Sequence, residues 1–131
     1  MEREESARYL LQGWYGAERG GRWSEPRATL LVPRCDGPGS VSVRGVSYRS
    51  DSARLAVRVG GQVILSGVVT PGAFALESTP ILTPQSVDKR ELIELEVDPP
   101  FIPREHGLND SRVLGLYFER VCSCPGAAAY E

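Results

Sequence analysis

The 14 glycines and 10 prolines of this 131-residue chain fall between short apolar runs instead of gathering in one linker. A chain interrupted this often turns too frequently for long helices, and the segments between its breaks carry strand chemistry. In Arg54-Leu55-Ala56-Val57-Arg58-Val59 the residues Leu55, Val57 and Val59 share one face, and Gly60-Gly61 then leads into Val63-Ile64-Leu65. Two adjacent glycines reach the positive φ values of a tight turn, so a β-hairpin is expected there.

The same reading places further strands along the chain. Arg27 to Val32 is β-branched and apolar, and Pro33 to Ser40 reads as a loop. Val41-Ser42-Val43-Arg44 alternates, and the phase resumes after Gly45 at Val46-Ser47-Tyr48, which points to a bulge or bend at the glycine. Gly72 to Leu76 is another strand, with Phe74 and Leu76 on one face. In Glu91 to Val97 the residues Ile93, Leu95 and Val97 oppose Glu94 and Glu96, so this strand has a wet face. Arg112 to Val121, apolar on both faces, reads as one long central strand. Only Glu2 to Gln12 offers a helical reading, behind three acids suited to a helix N-terminus. The expected fold is all-β: an antiparallel β-sandwich of jelly-roll type with about 7–9 strands and at most one short N-terminal helix. Residues 1–121 are expected to form one domain and residues 122–131 a loose tail.

Composition excludes several functions. Fifteen basic against 17 acidic residues leave a net charge of −2, too balanced for a generic nucleic-acid binder. No run approaches the roughly 18 apolar residues of a membrane span. The start Met1-Glu2-Arg3-Glu4-Glu5 is charged where an export signal needs an apolar stretch, so a cytoplasmic location is expected. Cys35, Cys122 and Cys124 form an odd set without a CxxC pair, and a single His completes no zinc pattern. Free thiols in a reducing compartment follow, with no metal or cofactor expected. The carboxylates Glu94 and Glu96 lie together simply because a strand alternates, and the chain has no Gly-x-Ser-x-Gly, His-Glu-x-x-His or phosphate-binding loop. His106 has no sequence-adjacent nucleophile. No enzyme is expected.

Two constellations remain. In Gly13-Trp14-Tyr15-Gly16-Ala17-Glu18-Arg19-Gly20-Gly21-Arg22-Trp23-Ser24 both tryptophans of the chain flank a glycine-rich turn. Two flat rings beside Glu18 and Arg22 suit the apolar C–H faces and hydroxyls of a sugar. The same residues also suit an architectural role, with the indoles closing one end of a sandwich and Glu18 pairing with Arg22 or Arg27. The second constellation runs from Asp98 to Arg112. Three prolines stiffen it, and Asp110 and Arg112 either pair with each other at the entry to the last strand or contact a ligand.

Together these segments resemble a known group of domains. Gly13-Trp14-Tyr15-Gly16-x-Glu18, Arg22-Trp23, the Leu-x-Val-x-Val-x-Gly-Gly hairpin at 55–61, Phe101-Ile102-Pro103 and Asp110-Ser111-Arg112-x-Leu114-Gly115 resemble small β-sandwich domains found beside bacterial glycosyltransferases and methyltransferases of surface-polysaccharide synthesis. The resemblance implies a noncatalytic accessory module similar to carbohydrate-binding jelly rolls. It would bind a glycan through Trp14, Glu18, Arg22, Trp23, Asp110 and Arg112. The other role is a structural module that docks a glycosyltransferase partner or forms a homodimer through a sheet face.

Overall fold

The computed structural model describes residues 10–18, 20–33, 41–78 and 90–122. Among them lie eight strands: β1 (Leu10–Glu18), β2 (Gly21–Pro33), β3 (Ser42–Ser47), β4 (Ala53–Val59), β5 (Gln62–Val69), β6 (Gly72–Glu77), β7 (Arg90–Asp98) and β8 (Tyr117–Cys122). A short 3-10 turn at Pro103–His106 precedes β8. The strands pair antiparallel in the order β5-β4-β7-β2-β8-β3-β6, with β1 also on β2.

The long strand β2 makes two layers out of this one sheet. Leu30 pairs with Leu10 of β1 and with Ile93 of β7, whereas Arg22 pairs with Ala17 of β1 and with Phe118 of β8. One edge of β2 is therefore divided between β7 and β8, and the sheet forks there. Strands β2-β7-β4-β5 form one layer and β8-β3-β6 the other. Apart from the β1–β2 and β4–β5 hairpins, every connection crosses between layers, which is the winding of a jelly roll. At the far side β5 and β6 come back into contact and close the sandwich.

The core fills the space between the layers. Leu30, Leu55, Val57, Ile93 and Leu95 meet Val43, Phe74, Phe118 and Val121 there. Each such side chain stabilises the fold by roughly 1.5–3 kcal/mol relative to exposure. The alternation that burial requires is the alternation visible in the sequence. The Gly60-Gly61 hairpin forms as expected, with φ of 60° and 79°. On β7 the expected wet face carries Glu96, which accepts a 2.9 Å bond from Arg58 and lies 4.0 Å from Arg27.

Opposite Gly45 the β3–β8 register does shift, but the extra residue, Glu119, is on β8. Gly45 itself is required by close approach, because a Cβ there would lie 2.0 Å from the Tyr117 carbonyl oxygen. The two apolar phases of this segment serve two different faces. Val43 points between the layers, and Val46 packs on the outside of the second layer.

Two expectations are corrected. Leu10 to Gln12 belong to β1 and not to a helix, since their backbone pairs with Thr29 and Leu30. Residues 2–9 of the proposed helix, the 123–131 part of the tail, and Cys35 and Cys124 lie outside the described residues. The long last strand is also shorter than expected. Regular pairing covers only Tyr117–Cys122, because Leu114 forms an isolated bridge with Phe101 and thereby ties the preceding segment into a loop. The apolar character on both faces is nonetheless real: Phe118 enters the main core while its neighbour Tyr117 enters a second cluster on the opposite face of the layer.

Candidate functional site

That second cluster consists of Trp23, Phe101, Leu114 and Tyr117, with Tyr15 and Val46 packed against it. It lies on the outer face of the second layer, roofed by the loop between β7 and β8. Trp23 stacks on Phe101 at 6.5 Å between ring centroids and 15° between planes, and it meets Tyr117 edge-on at 5.8 Å. Tyr48, just beyond β3, contacts both Trp23 and Tyr117 at 6.0 and 5.4 Å. Tyr48 as a residue nevertheless remains 59% exposed, whereas Trp23 is 7% exposed. The aromatic cluster thus has a buried base and one wet edge.

A groove of about 390 Å³ opens over this cluster. Trp23, Tyr48, Phe101 and Tyr117 supply its apolar wall, and Glu18, Asp110 and Arg112 line its polar side. Arg112 is held from several directions. Its Nε and Nη2 donate to the Asp110 carboxylate at 3.0 and 2.7 Å, and Nη2 lies 3.8 Å from Glu18. Its guanidinium also sits 5.1 Å from the centroid of the Tyr15 ring. The Arg112 guanidinium and backbone N–H hold the Asp110 carboxyl below the usual carboxylate range, and Asp110 in turn raises Arg112. Tyr15 donates its hydroxyl to the Val113 carbonyl, and burial pushes its phenol up. Tyr117 donates to the Glu18 carbonyl and so fixes the end of β1 against β8.

Beneath the groove lies Arg49, whose side chain is fully buried. Its Nε and Nη2 donate to the two Asp51 oxygens at 2.9 Å each, Nη1 reaches the Gly115 carbonyl at 3.5 Å, and the guanidinium lies 5.5 Å from the Phe101 ring centroid. A buried guanidinium survives only when its donors are met in this way. The pairing holds the Asp51 carboxyl below its ordinary range. Arg49 therefore ties the end of β3 to the segment entering β8. His106 stacks on Phe101 at 4.9 Å with an exposed ring.

Of the six residues singled out in the sequence, Glu18, Trp23, Asp110 and Arg112 line the groove. Trp14 and Arg22 lie elsewhere. Trp14 packs toward the main core, edge-on to Phe118 at 5.9 Å, with its Nε1 donating to the Thr29 carbonyl at 3.0 Å. Arg22 donates to the Tyr15 carbonyl at 3.2 Å. The two indoles do not form one platform, and the cause is register. The turn pairs Glu18 with Gly21 and Ala17 with Arg22, which in a regular hairpin would put residues 14 and 23 on one face. The register shifts between Ala17 and Trp14, so that Trp14 pairs with Ser24 and turns to the other side. Tyr48 and Tyr117 were not singled out. Tyr48 was visible only as the last member of an alternating run, and nothing local marks such a residue as exposed.

No profile of a known protein family matches this chain, and no curated protein matches it. Among solved structures, the chain is similar to the CBM36-1 domain of a multidomain xylanase from the hindgut metagenome of Trinervitermes trinervoides. The TM-score is 0.44, with 17% identity over 78% of this chain and 72% of that one.

Proposed function

We propose that this jelly roll is a noncatalytic glycan-binding module and that the groove over Trp23 is its binding site. The observation that supports this reading is the joining of an aromatic wall ending in exposed Tyr48 to a polar side of Glu18, Asp110 and Arg112. A pyranose offers an apolar C–H face to the first and hydroxyls to the second. The groove's 390 Å³ falls within the roughly 300–1,000 Å³ of small-ligand sites. Hydrogen bonds from Arg112 hold the Asp110 carboxyl below the usual carboxylate range, which suits it to accept hydrogen bonds from sugar hydroxyls. Trp14 and Arg22, named with the others from the sequence, act in this reading as supports of the β1–β2 hairpin. The finer setting, an accessory role in bacterial polysaccharide synthesis beside a glycosyltransferase, follows from the resemblance of the sequence segments and is proposed with it.

The test is calorimetric titration with a panel of mono- and oligosaccharides. At least one glycan is expected to bind, and Tyr48→Ala is expected to weaken it about tenfold or more, since stacking on an aromatic edge supplies most of the apolar contact. Tyr48 is exposed, so the variant is expected to keep the wild-type unfolding midpoint within about 1 kcal/mol of stability. Absence of binding across the panel, or binding indifferent to Tyr48→Ala, overturns the proposal.

A further inference from the structure

We infer that the binding site has two parts and accepts a glycan chain of at least two sugar units; this rests on the glycan-binding reading above. A second cup of about 510 Å³ is formed by the β7–β8 loop and lined by Arg104, Gly107, Leu108, Asn109, Asp110 and Ser111. It shares Leu108 and Asp110 with the aromatic groove. The two hollows therefore have Leu108 and Asp110 as a common wall, so one ligand chain can be served by both.

Their linings differ in a way that fits successive parts of one chain. The first is aromatic with a charged side. The second has no ring among the residues that line it and offers a guanidinium, an amide, a hydroxyl and the Asp110 carboxylate, a set suited to the hydroxyl edge of a neighbouring sugar. Leu108, which is 57% exposed, lines both hollows and is the apolar contact proposed for the glycosidic linkage.

The common wall is held in place by the loop's own backbone. Arg104 donates its N–H to the Asp110 carbonyl at 2.8 Å, Glu105 to Ile102 at 3.0 Å, Gly107 to Arg104 at 3.3 Å and Leu108 to Pro103 at 3.1 Å. Pro103 is buried, and Phe101 and Leu114 bond each other's backbone at 2.7 Å in both directions. The loop is thus shaped before any ligand arrives, so a second sugar gains contacts at little ordering cost. Asp110 is the hinge of the arrangement, because its carboxylate positions Arg112 in the first hollow while lining the second.

The experiment compares matched pairs of mono- and disaccharides by titration calorimetry: glucose with cellobiose, N-acetylglucosamine with chitobiose, and galacturonate with digalacturonate. For the series that binds, the disaccharide is expected to bind about tenfold more tightly than its monosaccharide. The double variant Asn109→Ala/Ser111→Ala is expected to remove that gain while leaving monosaccharide affinity unchanged. Both positions are exposed, so the fold is expected to persist, and an unchanged thermal midpoint checks this. Equal affinity for monosaccharide and disaccharide, or an equal loss for both in the double variant, overturns the two-part site and leaves the glycan reading standing. If no member of any series binds while the wider panel is also silent, both fall together.

Discussion

Trp14 and Trp23 sit on partner strands of one hairpin yet serve two different interiors. Trp14 closes the space between the layers and gives its Nε1 to a backbone carbonyl, whereas Trp23 forms the base of an aromatic cluster on the outer face. What separates them is a single register shift, not their chemistry. Side chains that look like a pair in a sequence are assigned to opposite sides of a sheet by one slipped residue. The outer cluster is the site proposed for a ligand, because its residues run from buried Trp23 to exposed Tyr48.

The contrast has measurable consequences. Replacing Trp23 with Ala is expected to cost about 3–5 kcal/mol in denaturant unfolding, since it removes the base on which Phe101 and Tyr117 rest. Trp14 is less deeply buried, and Trp14→Phe, which keeps an apolar ring and removes the donor to Thr29, is expected to cost only about 1 kcal/mol. Equal losses for the two variants would erase the distinction between the two interiors.

The two Arg–Asp pairs of the outer face extend the comparison. Both join residues two apart, but Arg49 is fully buried and Arg112 is about one-third exposed. Asp51→Ala is expected to destabilise the protein by about 3 kcal/mol, because it leaves a buried guanidinium with one long hydrogen bond to Gly115 and the face of Phe101. Asp110→Ala is expected to cost no more than about 1 kcal/mol, since solvent screens that pair, while it loosens Arg112 in the groove. Both carboxyls have folded-state values below their unfolded ones. Their contributions are therefore complete above the unfolded carboxylate value of about 3.9 and are lost as pH falls through the lower folded values. Asp51→Asn is expected to flatten the acid limb of the stability profile more than Asp110→Asn does.

The smallest effect concerns Tyr15, whose phenol is raised by burial. The stability this shift contributes is complete below the unfolded tyrosine value of about 10 and declines as pH rises through the higher folded value. Tyr15→Phe is expected to remove that alkaline decline and to cost only about 0.5 kcal/mol at neutral pH through the lost, solvent-exposed bond to Val113. An unchanged alkaline limb would mean the phenol is not desolvated in the folded protein.

Much of this architecture was legible in the sequence, and the exceptions share a cause. The β4–β5 hairpin and β7 were visible because each buries one face, and burial on one face writes alternation into the chain. β1 was not visible as a strand. Leu10 and Trp14 face the main core while Tyr15 packs on the outer cluster, and register shifts interrupt the period between them. The segment before β8 misled in the opposite direction. Leu114, Gly115 and Leu116 are all buried and apolar, as in a strand, but they are buried by a loop that bonds to Phe101 and Ser24. In the groove, Glu18 and Trp23 were legible as a cluster because they are close in sequence, and so were Asp110 and Arg112. That the two clusters meet, and that Tyr48 joins them, depends on the pairing of β8 with both β2 and β3, which no local pattern encodes.

The most direct test observes the two indole N–H resonances of nitrogen-15-labelled protein during titration with a glycan that binds. The Trp23 resonance is expected to move in a saturable way while that of Trp14, bonded to Thr29 away from the groove, stays in place. A glycan that shifts Trp14 and leaves Trp23 unmoved would contradict the assignment of the outer aromatic groove as the binding site.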